Sequence, residues 1–114
     1  MSIKANLIIN QGTDFTTTVT VTNDDGTVVN LTGYTANGQI RKHYASTTAY
    51  NITTSFEADR STGILYLDVL RETTTIMPAG RYVYDVEITD SNDVRSRLIE
   101  GIVTVSPSVT RSND

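Results

Sequence analysis

Short runs of alternating apolar and polar residues, separated by turn residues, occupy nearly the whole length of this chain. Residues 15–22 carry Thr at every even position, and residues 81–90 place Tyr82, Tyr84 and Val86 at every second position. Successive side chains of a strand point to opposite faces, so this period of two predicts strands with one buried face. The 20 Thr residues agree with this, because β-branched side chains fit a pleated surface better than a helix.

Turn residues divide the runs into antiparallel hairpins. Residues 23–26 read Asn-Asp-Asp-Gly and residues 59–63 end in Gly, and both lengths are usual for hairpin loops. Residues 70–77 give one short helical turn, which Pro78 and the following Gly80 end. We therefore predict an all-β chain: a single antiparallel β-sandwich of seven to eight strands with that one helical turn.

The last hairpin allows a prediction of register. If Asp90 pairs with Val94, Glu87 lies opposite Arg97, and this pairing puts Leu98 inward. The later residues 103 and 105 then face the wrong side, so we expect a one-residue bulge near residues 100–101, where a mid-strand Gly occurs.

Three segments follow from this pattern. We expect residues 1–10 to form an N-terminal strand or arm, residues 11–105 the sandwich, and residues 106–114 a polar tail. The stretch from Gly80 through Tyr82 to Tyr84 is typical of the corner tyrosine of immunoglobulin-like (Ig-like) sandwiches, with Tyr84 where a disulfide-bearing relative has its second Cys.

Composition excludes several functions. A net charge of −4 argues against a nucleic-acid partner, which requires a basic surface, and the absence of Cys excludes thiol catalysis and Cys-ligated zinc. A single His cannot supply a His pair for a metal, so we expect no cofactor. Residues 1–10 lack the apolar run of a signal peptide, and no segment has the roughly 20 apolar residues that span a bilayer, so we expect no membrane partner.

For each candidate catalytic residue, a structural role is the preferred interpretation. His43 ends a strand with no identifiable nucleophile or orienting carboxylate. The turn at residues 23–26 could offer oxygens to Ca²⁺, as could the second acidic turn with Asp90, Asn92 and Asp93, but a plain turn explains both. Asp85 and Glu87 share a face with two Arg residues, so ion pairing is preferred to glycoside hydrolysis. We expect a protein that is not an enzyme.

Tyrosines offer a weaker binding hypothesis. Tyr34, Tyr44 and Tyr66 could stack on sugars if they cluster on one exposed patch. Tyr is also common on sheet faces and at interfaces, and packing is the preferred interpretation.

Several segments resemble one family of proteins. They read Gln-Gly-Thr-Asp-Phe at 11–15, Leu-Thr-Gly-Tyr-Thr-Ala at 31–36, Pro-Ala-Gly-Arg-Tyr-Val-Tyr-Asp at 78–85 and Gly-Ile-Val-Thr-Val-Ser-Pro-Ser-Val-Thr at 101–110. In these the chain resembles small virion structural proteins of tailed bacteriophages, similar in outline to the N-terminal domain of upper-baseplate proteins. The resemblance implies an Ig-like, non-enzymatic module. It would be made in the bacterial cytoplasm and assembled in many copies, with itself and other virion proteins, into the tail, baseplate or neck.

The apolar run at residues 7–9 exceeds what a half-exposed strand needs. We predict that it or the start of the tail contacts neighbouring subunits, through Leu7, Ile8, Ile9, Ser106, Pro107 and Val109. The alternatives are a capsid-surface decoration protein and a module binding carbohydrate on the host surface. A cell-surface adhesion domain is also considered, but it would require a signal peptide or a larger parent chain.

Overall fold

The computed structural model describes residues 3–109, and it is built mainly of strands. The strands are β1 (Ile3–Lys4), β2 (Leu7–Asn10), β3 (Phe15–Thr20), β4 (Thr35–Arg41), β5 (Tyr50–Phe56), β6 (Ile64–Val69), β7 (Gly80–Thr89) and β8 (Arg95–Ser106). One α-helix, α1 (Arg71–Ile76), and one 3₁₀ turn (Arg60–Thr62) complete the elements. The all-β prediction and the short helix near residues 70–77 are confirmed. No helix within residues 3–109 is long and apolar enough to cross a membrane.

The strands form a single sheet that curls into a half-barrel, in the order β1-β8-β7-β4-β5-β6-β3. The curl occurs in β5, whose residues 50–52 pair with β4 while residues 53–56 pair with β6. The prediction of wholly antiparallel pairing is wrong, because β1 and β2 both pair with β8 in parallel. The first two strands thus lie alongside the last one.

The alternating residues fill the inside of the curled sheet. In β6 the side chains of Leu65, Leu67 and Val69 are buried, as the alternation predicts, and β7 buries four residues in the same way. Burying a side chain of this size stabilises the fold by about 1.5–3 kcal/mol. Further buried residues come from other strands and connections: Ile9, Val19, Val21, Leu31, Ile40, Ile52, Met77, Leu98, Ile99, Val103 and Val105.

The β7–β8 hairpin has the predicted register next to its turn. Glu87 lies opposite Arg97, and the amide of Asp90 donates to the carbonyl of Val94 at 3.0 Å. The predicted bulge position is wrong, because the register shifts at Leu98 rather than at residues 100–101. Leu98 and the next residue, Ile99, are both buried, so the change of face occurs between them.

Gly101 has a different role from the predicted bulge. A Cβ placed there would lie 2.1 Å from the carbonyl oxygen of Ala5, in the link between β1 and β2. The absent side chain lets the N-terminal segment approach β8, where the amide of Ala5 donates to the backbone carbonyl of Glu100 at 3.0 Å.

Helix α1 is held by residues distant in sequence. Its N-cap residue, Leu70, has no capping side chain, and Asp14 instead accepts the amide of Arg71 at 2.8 Å. Thr74 is fully buried, and its Oγ1 donates to the carbonyl of Thr13 at 2.8 Å and accepts the amide of Gly12 at 3.1 Å. The helix therefore docks on the connection between β2 and β3.

Candidate functional site

A groove of about 520 Å³ lies beside the β4–β5 connection. Ligand sites of proteins usually measure about 300–1,000 Å³. Its walls come from that connection, from the start of β5 and from the approach to β7. The lining residues are Lys42, His43, Ser46, Thr47, Thr48, Tyr50, Pro78 and Tyr82.

Two tyrosines form the floor of this groove. The rings of Tyr50 and Tyr82 pack edge to face, with centroids 6.0 Å apart and an interplanar angle of 83°. Burial raises the pKa of the Tyr82 hydroxyl, and the nearby Tyr50 raises it to a smaller extent. Because this hydroxyl donates to the carbonyl of Pro78 at 2.5 Å, it also fixes the opposite wall of the groove.

The wall formed by residues 42–49 is ordered by its own hydrogen bonds. The guanidinium of Arg41 donates to the carbonyl of Ser46, and to the side chain of Gln39 at 2.9 Å. The backbone amide of His43 donates to the Ser46 hydroxyl at 3.0 Å, and the Ser46 amide donates back to the carbonyl of His43 at 3.0 Å. This connection between β4 and β5 is therefore a defined turn.

The groove combines a cation with hydroxyl groups and aromatic surface. The ammonium of Lys42 lies 4.7 Å from the centroid of the Tyr82 ring, a cation–π distance. No Asp or Glu occurs among the described lining residues. Such a surface suits a ligand that carries a negative charge on a polar or apolar body. Within residues 3–109 no group of three His, Asp or Glu side chains could hold a metal ion.

The six residues predicted to contact other subunits occupy different environments. Ile9 is fully buried in the core of this chain, which corrects its assignment as an interface residue, whereas Leu7 is half-buried and packs against the core. Ile8 is 69 % exposed, Pro107 is exposed and Val109 is 97 % exposed. Ser106 is half-buried at the end of β8. Residues 1–2 and 110–114 of the predicted arm and tail lie outside the described residues.

The corner residues lie together at the start of β7. Gly80 has φ of +137°, a conformation that L side chains rarely adopt, and Tyr82 follows with its bond to Pro78. Tyr84 is buried, and its hydroxyl donates to the carbonyl of Ala5 at 2.6 Å. Burial raises the pKa of Tyr84 to about 12.

The tyrosines of the carbohydrate hypothesis do not share a surface. Tyr34 lines a small pocket with Ile88, whereas Tyr44 is 81 % exposed beside the outer face of β7 and β8. The hydroxyl of Tyr66 donates to Glu57, and this hydrogen bond is the main reason why the pKa of Tyr66 is raised. The patch that the hypothesis requires is therefore not formed by these three residues.

The charged residues of the outer face pair locally. Arg97 forms ion pairs with Asp85 at 3.3 Å and with Glu100 at 3.4 Å, and no ion pair joins it to Glu87, which lies opposite it in the β7–β8 register. The acidic turns are capped by their own carboxylates: Asp25 accepts the amide of Thr27, and Asp90 that of Val94, both at 2.9 Å. These bonds account for both turns without a bound ion.

The sequence interpretation missed the groove. Tyr82 is read there only as a corner residue, and His43 only as an exposed strand end. Lys42, Tyr50 and Tyr82 meet because β4 pairs with both β5 and β7, and no spacing along the chain signals this.

Comparisons with known proteins leave the family of this chain open. No protein-family model matches it, and no curated protein matches it. Among solved structures, it is similar to the Listeria monocytogenes internalin-like protein lmo2027, with 19 % sequence identity and a TM-score of 0.49. That likeness covers 92 % of this chain, and the chain spans 28 % of the internalin-like chain.

Proposed function

We propose that this chain is a non-enzymatic structural subunit of a tailed-bacteriophage particle, an Ig-like module that joins its neighbours through its outer strands. The motifs at residues 31–36 and 101–110 suggest this role, and two uncharged, open strand edges carry the proposal. Its partners are other virion proteins and further copies of itself.

Strand pairing favours the Ig-like assignment. In Ig domains three strands of one sheet, C, F and G, face a second sheet in which B lies beside E. The neighbours β4, β7 and β8 match C, F and G, while β3 beside β6 matches B and E. The bond from Tyr82 to the carbonyl four residues upstream is the geometry of a tyrosine corner.

Among the described strands, β2 and β3 each have one unpaired edge. Strand β2 reads Leu-Ile-Ile-Asn and pairs only with β8, and β3 reads Phe-Thr-Thr-Thr-Val-Thr and pairs only with β6 among the described strands. Soluble proteins usually protect such edges with charged residues, Pro or bulges, because bare edges pair with other chains. An edge left uncharged suits a subunit that is covered on assembly.

Ile8 is the most accessible apolar residue on these edges. In and around β2, the backbone groups that bond to β8 belong to odd-numbered residues. On either side of β2, the amides of Ala5 and Gln11 donate to the backbone carbonyls of Glu100 and Ser106. The peptide groups of Ile8 therefore face the open side, and its side chain is 69 % exposed. An added strand would gain both backbone hydrogen bonds and an apolar contact there.

The test compares two equally exposed isoleucines. Ile8→Lys places a charge on the open edge, whereas Ile76→Lys places one on helix α1, where Ile76 is 67 % exposed. The copy number of each variant is measured by mass spectrometry of purified particles. We expect Ile8→Lys to be depleted about tenfold or more, equivalent to about 1.4 kcal/mol of lost docking energy, and Ile76→Lys to be incorporated normally.

Thermal unfolding of both variants provides the folding control. Equal incorporation of Ile8→Lys and wild type would overturn the role of this edge. Absence of the wild-type chain from complete particles would overturn the virion assignment itself.

A further inference from the structure

The two ends of the molecule differ strongly in charge. Three connections meet at one end, residues 22–34, 57–63 and 90–94. The amide of Leu31 donates to the backbone carbonyl of Arg60 at 2.9 Å, and Thr35 pairs with Thr89. We call this the acidic end. It holds six of the chain's 13 acidic residues: Asp24, Asp25, Glu57, Asp59, Asp90 and Asp93.

The carboxylates of the acidic end are not neutralised within the described chain. The ion pairs within residues 3–109 involve none of the six. The one cation among these connections, Arg60, donates to the carbonyls of Leu31 and Tyr34, both at 3.1 Å, and lies over the ring of Phe56. The acidic end therefore presents uncompensated negative charge to solvent.

The groove with the tyrosine floor lies at the opposite end. Strand β7 separates the two regions, and its ten residues span roughly 33 Å, several Debye lengths at physiological ionic strength. Lys42 forms no ion pair within residues 3–109. The groove lining adds His43 and three Ser and Thr side chains to the two tyrosines, and it contains no carboxylate. Charges at the two ends cannot satisfy one another within one molecule.

We propose that the groove receives the acidic end of a second copy of this chain. Charge complementarity selects this occupant, because within residues 3–109 one copy carries both a lysine and carboxylates that form no ion pair. Such a contact is head to tail, so it joins two different surfaces and builds a ring or a filament rather than a closed two-fold dimer. It rests on the proposed function in requiring self-assembly, but it uses a different surface from the β2 edge.

Salt dependence distinguishes this contact from apolar edge pairing. Sedimentation velocity of the full chain is measured in about 0.1 M and about 1 M NaCl, where the Debye length is roughly 10 Å and 3 Å. We expect the association constant to fall about tenfold or more at the higher salt. A wild-type protein that stays monomeric at all concentrations in low salt would overturn the proposal.

Charge reversals locate the two surfaces. Lys42→Glu is expected to weaken association about tenfold or more, while Lys4→Glu, at the only other lysine, makes the same change in net charge on β1 and leaves association unchanged. Asp24→Asn with Asp93→Asn removes two negative charges from the acidic end, and Glu72→Lys on helix α1, which makes the same change in net charge, is its control. Equal effects of a variant and its control would overturn the assignment.

A mixture of the two disabled proteins tests the head-to-tail geometry. The Lys42→Glu protein retains its acidic end, and the Asp24→Asn/Asp93→Asn protein retains its groove, so together they form dimers that cannot grow. Larger assemblies in the mixture, or no dimers, would refute the geometry. If particles contain the chain but the wild type shows no salt-dependent association, the groove contact fails while the virion assignment stands.

Discussion

Replacing Gly101 with Ala tests how the N-terminal segment is attached to the sheet. The new methyl group would lie 2.1 Å from the carbonyl oxygen of Ala5, whereas ordinary contacts begin near 3.4 Å. The atom it meets belongs to the backbone, so a rotamer change cannot relieve the clash. Ala5 must move away from β8 by about 1 Å or more.

This movement breaks identifiable interactions. The amide of Ala5 loses its hydrogen bond to the backbone carbonyl of Glu100, and the hydroxyl of Tyr84 loses its hydrogen bond to the carbonyl of Ala5. A net hydrogen bond contributes about 0.5–1.5 kcal/mol, and a buried hydroxyl left without a partner costs about 1–3 kcal/mol. We expect Gly101→Ala to lower the free energy of unfolding by about 2–4 kcal/mol.

A double-mutant cycle with Tyr84→Phe identifies the cause. Tyr84→Phe alone removes one hydroxyl and should cost about 1 kcal/mol. If Gly101→Ala already separates Ala5 from Tyr84, adding Tyr84→Phe costs almost nothing more. Urea denaturation of the four proteins gives the coupling energy, provided that the m-value is unchanged. Additivity of the two single effects within about 0.5 kcal/mol would refute this reasoning.

Three further predictions test other buried polar groups. Thr74→Val keeps the shape of the side chain but leaves the amide of Gly12 and the carbonyl of Thr13 unpaired. Urea denaturation should therefore show a decrease of about 2–4 kcal/mol in the free energy of unfolding, against less than about 0.5 kcal/mol for Thr75→Val at an exposed position. Tyr82→Phe should cost about 1 kcal/mol in the same assay, and no loss would show that the bond to Pro78 is not needed. The pKa of Tyr84 is raised to about 12, so the folded state holds this proton more tightly than the unfolded state does. The stability that this contributes is complete below about pH 10 and falls between about pH 10 and 12, by on the order of 2 kcal/mol. Tyr84→Phe should reduce this alkaline loss, and an unchanged pH profile would contradict it.

The parts of the fold that depend on local pattern could be predicted from the sequence. Alternation identifies the buried residues of β6 and β7, because side-chain direction follows from position along a strand. The pairing of Glu87 with Arg97 is predictable because a short turn fixes the register next to it. The position of the bulge also has a signal in the sequence, because Leu98 and Ile99 are adjacent and apolar, and both are buried in the structure.

The parts that depend on distant pairing could not be predicted. No local feature of residues 3–10 states that they lie parallel to β8, so Ile9 was assigned to an interface although it fills the core. The groove has the same origin, because Lys42 reaches Tyr82 only through the pairing of β4 with β7. Such contacts join residues that are dozens of positions apart, and composition carries no information on them.

The N-terminal strand links the stability of this fold to its proposed assembly. Ile9 anchors β2 in the core and Tyr84 bonds to the segment just before it, while Ile8 between them presents the open edge. The edge is thus held in position before any partner arrives, which reduces the entropy lost on docking. Gly101→Ala should therefore impair both stability and incorporation into particles, whereas Ile8→Lys should impair incorporation alone. A Gly101→Ala protein that is destabilised yet incorporated normally would show that this edge does not need to be held in place for assembly.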